Sequence, residues 1–187
     1  MQERIQRRDA AIRRQSILAA AELAFAEKGL DVPLEEICVA AGVGRATLYR
    51  NFENRIALVH AIMRNNLDKL DALVDDVGGD PHGLEAYLAE ILDQLIKTGA
   101  LVFLIRRDPD LDRNLSSRYL AHLEQLTTTA RSAGVIRSDA TVEMVEIVVR
   151  MMSGALNGLA FAERRAAAAT VFDLCLAALD LRTRESR

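Results

Sequence analysis

Between Gly42 and Phe52 the chain reads Gly-Val-Gly-Arg-Ala-Thr-Leu-Tyr-Arg-Asn-Phe, and five of these side chains, Arg45, Thr47, Tyr49, Arg50 and Asn51, can donate hydrogen bonds. They alternate with the apolar anchors Val43, Leu48 and Phe52. On a helix that steps 100° per residue, turning the anchors inward leaves Arg45, Ala46, Tyr49 and Arg50 outward, with Thr47 and Asn51 at the edges. That outer face has the chemistry of a DNA reader. Arginine pairs bidentately with guanine, threonine and tyrosine donate to phosphate oxygens, and Ala46 or the tyrosine ring can touch a thymine methyl. A solvated amphipathic helix also accounts for exposed Arg and Thr, but a tyrosine set outward beside two arginines is less typical of one.

The flanking pattern supplies the elements that would hold this face. From about Asp9 to Lys28, Ile12, Ile17, Leu18, Ala21, Ala24 and Phe25 recur near helical spacing, and Gly29 is a stop signal. Asp31-Val32-Pro33 resets the chain, and a second helix is expected over Pro33 to Ala41, with proline in its first position and Leu34, Ile37, Cys38 and Ala41 on one side. Gly42 ends it and the next helix begins near Gly44. Two short helices joined by a glycine turn form a helix-turn-helix, a weak signal alone, whose second helix fits a major groove about 12 Å wide.

Across residues 14–61, Ile17-Leu18, Ala20-Ala21, Phe25, Gly29, Ile37, Ala41-Gly42-Val43, Thr47-Leu48-Tyr49, Phe52 and Leu58 resemble the DNA-binding domain of the TetR family of transcriptional regulators. The resemblance implies a helix-turn-helix domain over residues 1–54, with Thr47 to Phe52 on its recognition helix. It also implies backbone phosphate contacts from Tyr49, Asn51 and Arg55. Several positions depart from the family pattern. Gly44 stands where a capping serine is common, Pro33-Leu34 replaces a threonine pair, Asn51 replaces a histidine and Arg55 a lysine. Glu35 and Glu36 suit the start of a helix but would face phosphate.

Beyond Asn54, a capping residue, a helix from Arg55 to about Val77 would span about 34 Å at 1.5 Å per residue, enough to link two domains. Asp80-Pro81 reads as an N-cap and first-turn proline for a helix carrying Leu84 to Ile96. Leu101 to Ile105 reads as a short buried helix, and Asp108-Pro109 opens another that stops at Gly134. Thr141 caps a helix from Val142 to about Gly158, and a last helix runs from Glu163 to about Leu181 before a charged tail over 182–187. The expected fold is all-α, about nine helices, with residues 55–187 forming a helical domain. By resemblance that domain binds ligand and dimerises.

Bulk properties agree with this class. The 187 residues are 50% hydrophobic and 4% aromatic with three prolines, so a helical core is expected and strand-rich runs are missing. A net charge of −3 excludes DNA binding by charge alone, leaving a local patch. One such patch lies at the start, where Arg4, Arg7, Arg8, Arg13 and Arg14 outnumber Glu3 and Asp9. Cys38 and Cys175 lie far apart without a CxxC partner, as reduced core thiols of a cytoplasmic protein would. No signal-like or membrane-spanning apolar run is present. His60, His82 and His122 have no metal-ligand spacing, no catalytic motif or cofactor loop is found, and neither a metal, a cofactor nor a reaction is expected.

The last two predicted helices carry more apolar surface than one outer face needs, including Val145, Val148, Met152, Leu156, Leu174 and Leu179, which fits either an intramolecular core or a subunit interface. The resemblance implies a homodimer through them, binding a palindromic double-stranded DNA operator and released by an unidentified small-molecule effector. Candidate effector contacts are Phe103, Arg106, Tyr119, His122, Met151 and Asn157, which combine apolar lining with a few polar groups. Two other classes fit the composition. One is a helical-bundle ligand carrier or enzyme with a vestigial helix-turn-helix, marked by binding or turnover indifferent to Arg45 and Tyr49; the other is a protein-binding adaptor. Neither has a positive motif.

Overall fold

A computed structural model describes residues 2–98 and 109–181, with the side chains of 8–98 and 117–181. The described elements are all helices: α1 (Gln2–Lys28), α2 (Leu34–Ala41), α3 (Arg45–Asn51), α4 (Arg55–Val77), α5 (Gly83–Thr98), α6 (Pro109–Ser132), α7 (Val142–Leu156) and α8 (Phe161–Ala178). The short helix expected over Leu101 to Ile105, and the candidates Phe103 and Arg106, lie outside the described residues.

Two apolar cores form, and α4 belongs to both. The first gathers Ile17, Leu18, Ala21 and Phe25 of α1, Ile37 and Cys38 of α2, Leu48 and Phe52 around α3, and Leu58, Val59 and Ile62 from the start of α4. The second begins at Leu67 and takes Leu70 and Val74 of α4, with Leu84, Tyr87 and Leu88 of α5, Leu123 and Leu126 of α6, Val145, Val148 and Met152 of α7, and Cys175 and Leu176 of α8. Between them lies a polar layer. Asn66 is 2% exposed, its amide donates to Glu22 Oε1 of α1 at 3.0 Å, and its backbone carbonyl accepts from Gln94 of α5 at 3.1 Å. A buried amide stays buried only when its donors and acceptors are met, and Lys69 of α4 meets the remaining side-chain acceptor by donating to Asn66 Oδ1 at 3.1 Å. Both cysteines are free and buried, as core thiols.

Local chemistry sets most helix ends. The Asn54 side chain accepts from Ala57 N at 2.9 Å and the Thr141 hydroxyl from Met144 N at 3.3 Å, so both expected caps form. Four other boundaries differ from the sequence reading. The first helix begins seven residues before Asp9, at Gln2. Pro33 is the N-cap of α2, extended at φ −57° and ψ 134°, and Leu34 is its first residue. Asp80 Oδ1 accepts from His82 N at 2.9 Å in a turn ahead of α5, and the helix itself begins at Gly83, two residues beyond the expected Pro81. At Gly83 the backbone passes so close to α4 that a Cβ would stand 2.3 Å from Val77 O, and only glycine fits. The last helix begins at Phe161, which places Glu163 in its first turn, where its carboxylate accepts from Ala160 N at 2.7 Å.

Candidate nucleic-acid interface

The turn between α2 and α3 fixes which face of α3 turns outward. Gly42 takes the left-handed conformation, φ 65° and ψ 31°, while Gly42 N donates to Val39 O at 3.1 Å and Val43 N to Cys38 O at 3.0 Å. These bonds satisfy carbonyls at the end of α2 and turn the chain sharply. Gly44 then stands as an extended N-cap with no side-chain bond. Leu48 and Phe52, 1% and 3% exposed, anchor α3 on the first core, and Arg14 of α1 lies 4.6 Å over the Phe52 ring.

With that face committed, Arg45, Ala46, Tyr49, Arg50 and Asn51 are exposed and Thr47 is half-buried, the orientation expected from 100° steps. Internal bonds pre-position several of them. Arg50 Nη2 donates to Thr47 Oγ1 at 3.0 Å, and Asn51 Nδ2 donates to Thr47 O at 2.7 Å. Arg45 pairs with Glu35 of α2 at 3.0 Å. An exposed pair of this kind is worth about 0–1 kcal/mol, so a guanine or phosphate competes with it readily. Arg55 differs from the others. Its guanidinium donates to Leu30 O and lies 5.8 Å over the Phe25 ring, joining the start of α4 to the end of α1.

A second polar constellation runs from buried Tyr87 outward along the seam between α4 and α6 in the other unit, as far as exposed Asp68. His122 of α6 places Nδ1 3.1 Å from the Tyr87 hydroxyl and Nε2 3.0 Å from Asp71 Oδ1, and Arg118 donates to both Asp71 and Asp68, the latter at 3.0 Å. Burial pushes the Tyr87 hydroxyl above its ordinary range, so it keeps its proton. Burial, then the Arg118 charge, lowers the His122 pKa from 6.5, against an opposing pull from Asp75. Neutral His122 therefore accepts from Tyr87 O–H at Nδ1 and donates from Nε2 to Asp71. Tyr119 is half-buried and its hydroxyl is also held protonated, first by burial and then by Glu146 of α7. Met151 is 53% exposed, and Asn157 is exposed at the C-terminal end of α7, so neither joins His122 and Tyr119 in the interior.

Sequence reasoning did not single out Tyr87, Asp71 or Arg118. A signal existed: Arg118 and His122 are four apart on α6, and Asp68, Asp71 and Asp75 recur at three and four on α4, so each set shares a helix face. Among the described residues no cluster of His, Cys, Asp or Glu could hold a metal ion, and no helix is long and apolar enough to cross a membrane.

Comparison with known proteins places this arrangement. The profile of bacterial regulatory proteins of the tetR family matches residues 17–62. The crystal structure of a TetR transcriptional regulator from Streptomyces coelicolor is similar at 30% identity and a TM-score of 0.70, over 91% of this chain and 99% of that one. An HTH-type transcriptional repressor of Mycobacterium tuberculosis is 27% identical over 88% of this chain and 91% of its own length. The HTH-type transcriptional repressor LfrR of Mycolicibacterium smegmatis is 29% identical over 98 residues, and this match spans about half of each protein, 52% of this chain and 51% of that repressor. A structure of LfrR in complex with proflavine shares the fold at a TM-score of 0.62 and 21% identity, over 90% of this chain and 95% of that one.

Proposed function

The chain belongs to the TetR family of bacterial regulatory proteins, and from that premise we propose that it is a homodimeric, ligand-responsive transcriptional repressor acting from the cytoplasm. The observation that carries the proposal is the outer face of α3: donors from Arg45, Thr47, Tyr49, Arg50 and Asn51 presented together on a helix anchored by Leu48 and Phe52. Arg45 and Arg50 read base edges, Ala46 meets a thymine methyl, and Thr47, Tyr49 and Asn51 hold phosphate. Arg55 reaches phosphate by exchanging its bond to Leu30 O.

Dimerisation through α7 and α8 is supported by an apolar face without a partner in the monomer. Ile147 is 48% exposed, Met151 53% and Leu174 65%, beside the exposed small residues Gly154, Ala166, Ala169 and Thr170. Two such faces related by a two-fold axis would bury each other and set two α3 helices against a palindrome. The effector site is the interior bounded by α4 to α7, where Tyr119 and His122 supply polar groups, while Met151 serves the dimer face. Effector binding shifts a population between a DNA-competent and a released arrangement.

A footprint on the DNA upstream of the gene tests the reading. The expected result is a protected palindrome whose affinity falls steeply with salt, retained by a dimer and lost when Met151→Arg and Leu174→Arg together produce monomers. Absence of any protected site at moderate salt overturns it.

A further inference from the structure

Arg164, in the first turn of α8, is 5% exposed, and among the described residues no carboxylate pairs with it. Its Nη2 donates to Ala26 O in the last turn of α1 at 2.8 Å, its Nε is buried without a partner, and its guanidinium lies 5.9 Å from the Phe161 ring. Burial lowers its pKa, but a guanidinium does not give up its proton. The group is therefore a buried cation facing one carbonyl dipole, at the positive end of its own helix.

Arg164 also lines a cleft of about 430 Å³ between α1 and the α7–α8 turn, walled by Phe25, Gly29, Leu156, Leu159 and Phe161. The volume is that of a small-molecule site, and its lining sets apolar surface beside three polar residues, Arg164, Glu27 and Asn157, the mixture that separates affinity from orientation. Carboxylate is the planar acceptor that matches a guanidinium fork. Glu163 is already tied to Ala160 N, while Glu27 stands exposed on the rim, where it would repel a second negative charge.

We propose that this cleft binds a small monocarboxylate with an apolar body, its carboxylate on the Arg164 guanidinium and its body against Leu156, Leu159 and Phe161. The site is separate from the Tyr87–His122 interior. Because Arg164 also holds Ala26 O, an occupant acts on the seating of α1; this consequence alone rests on the regulatory reading above.

Titration of the full chain with benzoate, and with neutral benzamide of the same shape, tests the site by saturation-transfer NMR and the side-chain N–H signals of labelled arginine. Benzoate should saturate and bind at least about tenfold more tightly than benzamide. It should shift one arginine signal that is missing in Arg164→Gln, and that variant should lose benzoate binding while Arg164→Lys keeps a weakened form. Equal binding of the two probes, no saturation, or benzoate binding unchanged in Arg164→Gln overturns the proposal. If the Gln variant does not fold, the probe pair and the arginine signal of the unaltered protein still decide. A protein that binds benzoate but no operator fails the regulatory reading and keeps the site.

Discussion

Arg45 and Arg50 stand exposed on the outer face of α3, and their bonds go to Glu35 and Thr47. Arg164 carries the same guanidinium into the seam between α1 and α8, where its acceptor is a carbonyl 138 residues away. The first setting keeps an arginine available, since solvent screens its pair and a nucleic acid can replace it at little cost. The second makes an arginine part of the fold and leaves its charge without a counter-ion among the described residues. Availability for DNA follows from what surrounds the group, and the two settings make different predictions.

The largest effect is expected from the side of α3 that never meets DNA. Leu48→Ala should cost about 2–5 kcal/mol of stability, read by urea unfolding, and abolish operator binding with it. A loss much under that range would mean α3 is not held by its buried face. Next comes the division between the two arginine settings. Arg45→Ala should leave the melting temperature unchanged and remove about 1–3 kcal/mol of base discrimination. Arg164→Met should leave base discrimination intact, with stability within about 1 kcal/mol, because one lost hydrogen bond is offset by relief of a buried charge. Equal loss on all DNA sequences from Arg45→Ala would put that residue on phosphate instead.

A smaller effect separates the interior polar groups from the surface ones. The folded-state pKa of His122 lies below its unfolded value of 6.5. As pH falls through that value, the unfolded chain takes up a proton that the folded chain refuses, so stability should drop between neutral pH and the folded pKa. His122→Gln should flatten the decline in a pH series of thermal melts; an unchanged slope would show that His122 is not its source. The smallest effect is expected at Glu35. Glu35→Gln should change stability by about 0–1 kcal/mol and raise DNA affinity at low salt, with the gain fading as salt is added. Weaker binding in that variant would mean that Glu35 holds Arg45 in its reading position.

The recognition unit was largely legible because its contacts are close in sequence. Val43, Leu48 and Phe52 define a face by helical arithmetic alone, and Asn54 and Thr141 cap because the bond each makes is three residues away. Legibility failed where distant chain decides. Asp80-Pro81 looks like a helix start, but the helix begins at Gly83, where the backbone lies against Val77 O of α4. Arg164 reads as an ordinary surface residue of an alanine-rich helix until α1 is laid over it. Tyr87, Asp71 and His122 meet only when α4, α5 and α6 pack, and apolar periodicity records that each helix is buried without recording which polar groups face each other.

The polar layer at Asn66 has a mechanical consequence. It interrupts the apolar packing along α4 without interrupting the helix, so the rod crosses from one core to the other at a place held by replaceable hydrogen bonds. From Asn66 to Arg55 is about 16 Å of helix at 1.5 Å per residue. A tilt of about 5° at that fulcrum displaces the far end by roughly 1.4 Å, and opposite tilts in two symmetry-related copies change their separation by about 3 Å, close to the 3.4 Å rise of one base pair. In the proposed dimer, a rearrangement too small to break either core would thus be enough to put the two α3 helices out of step with a DNA site.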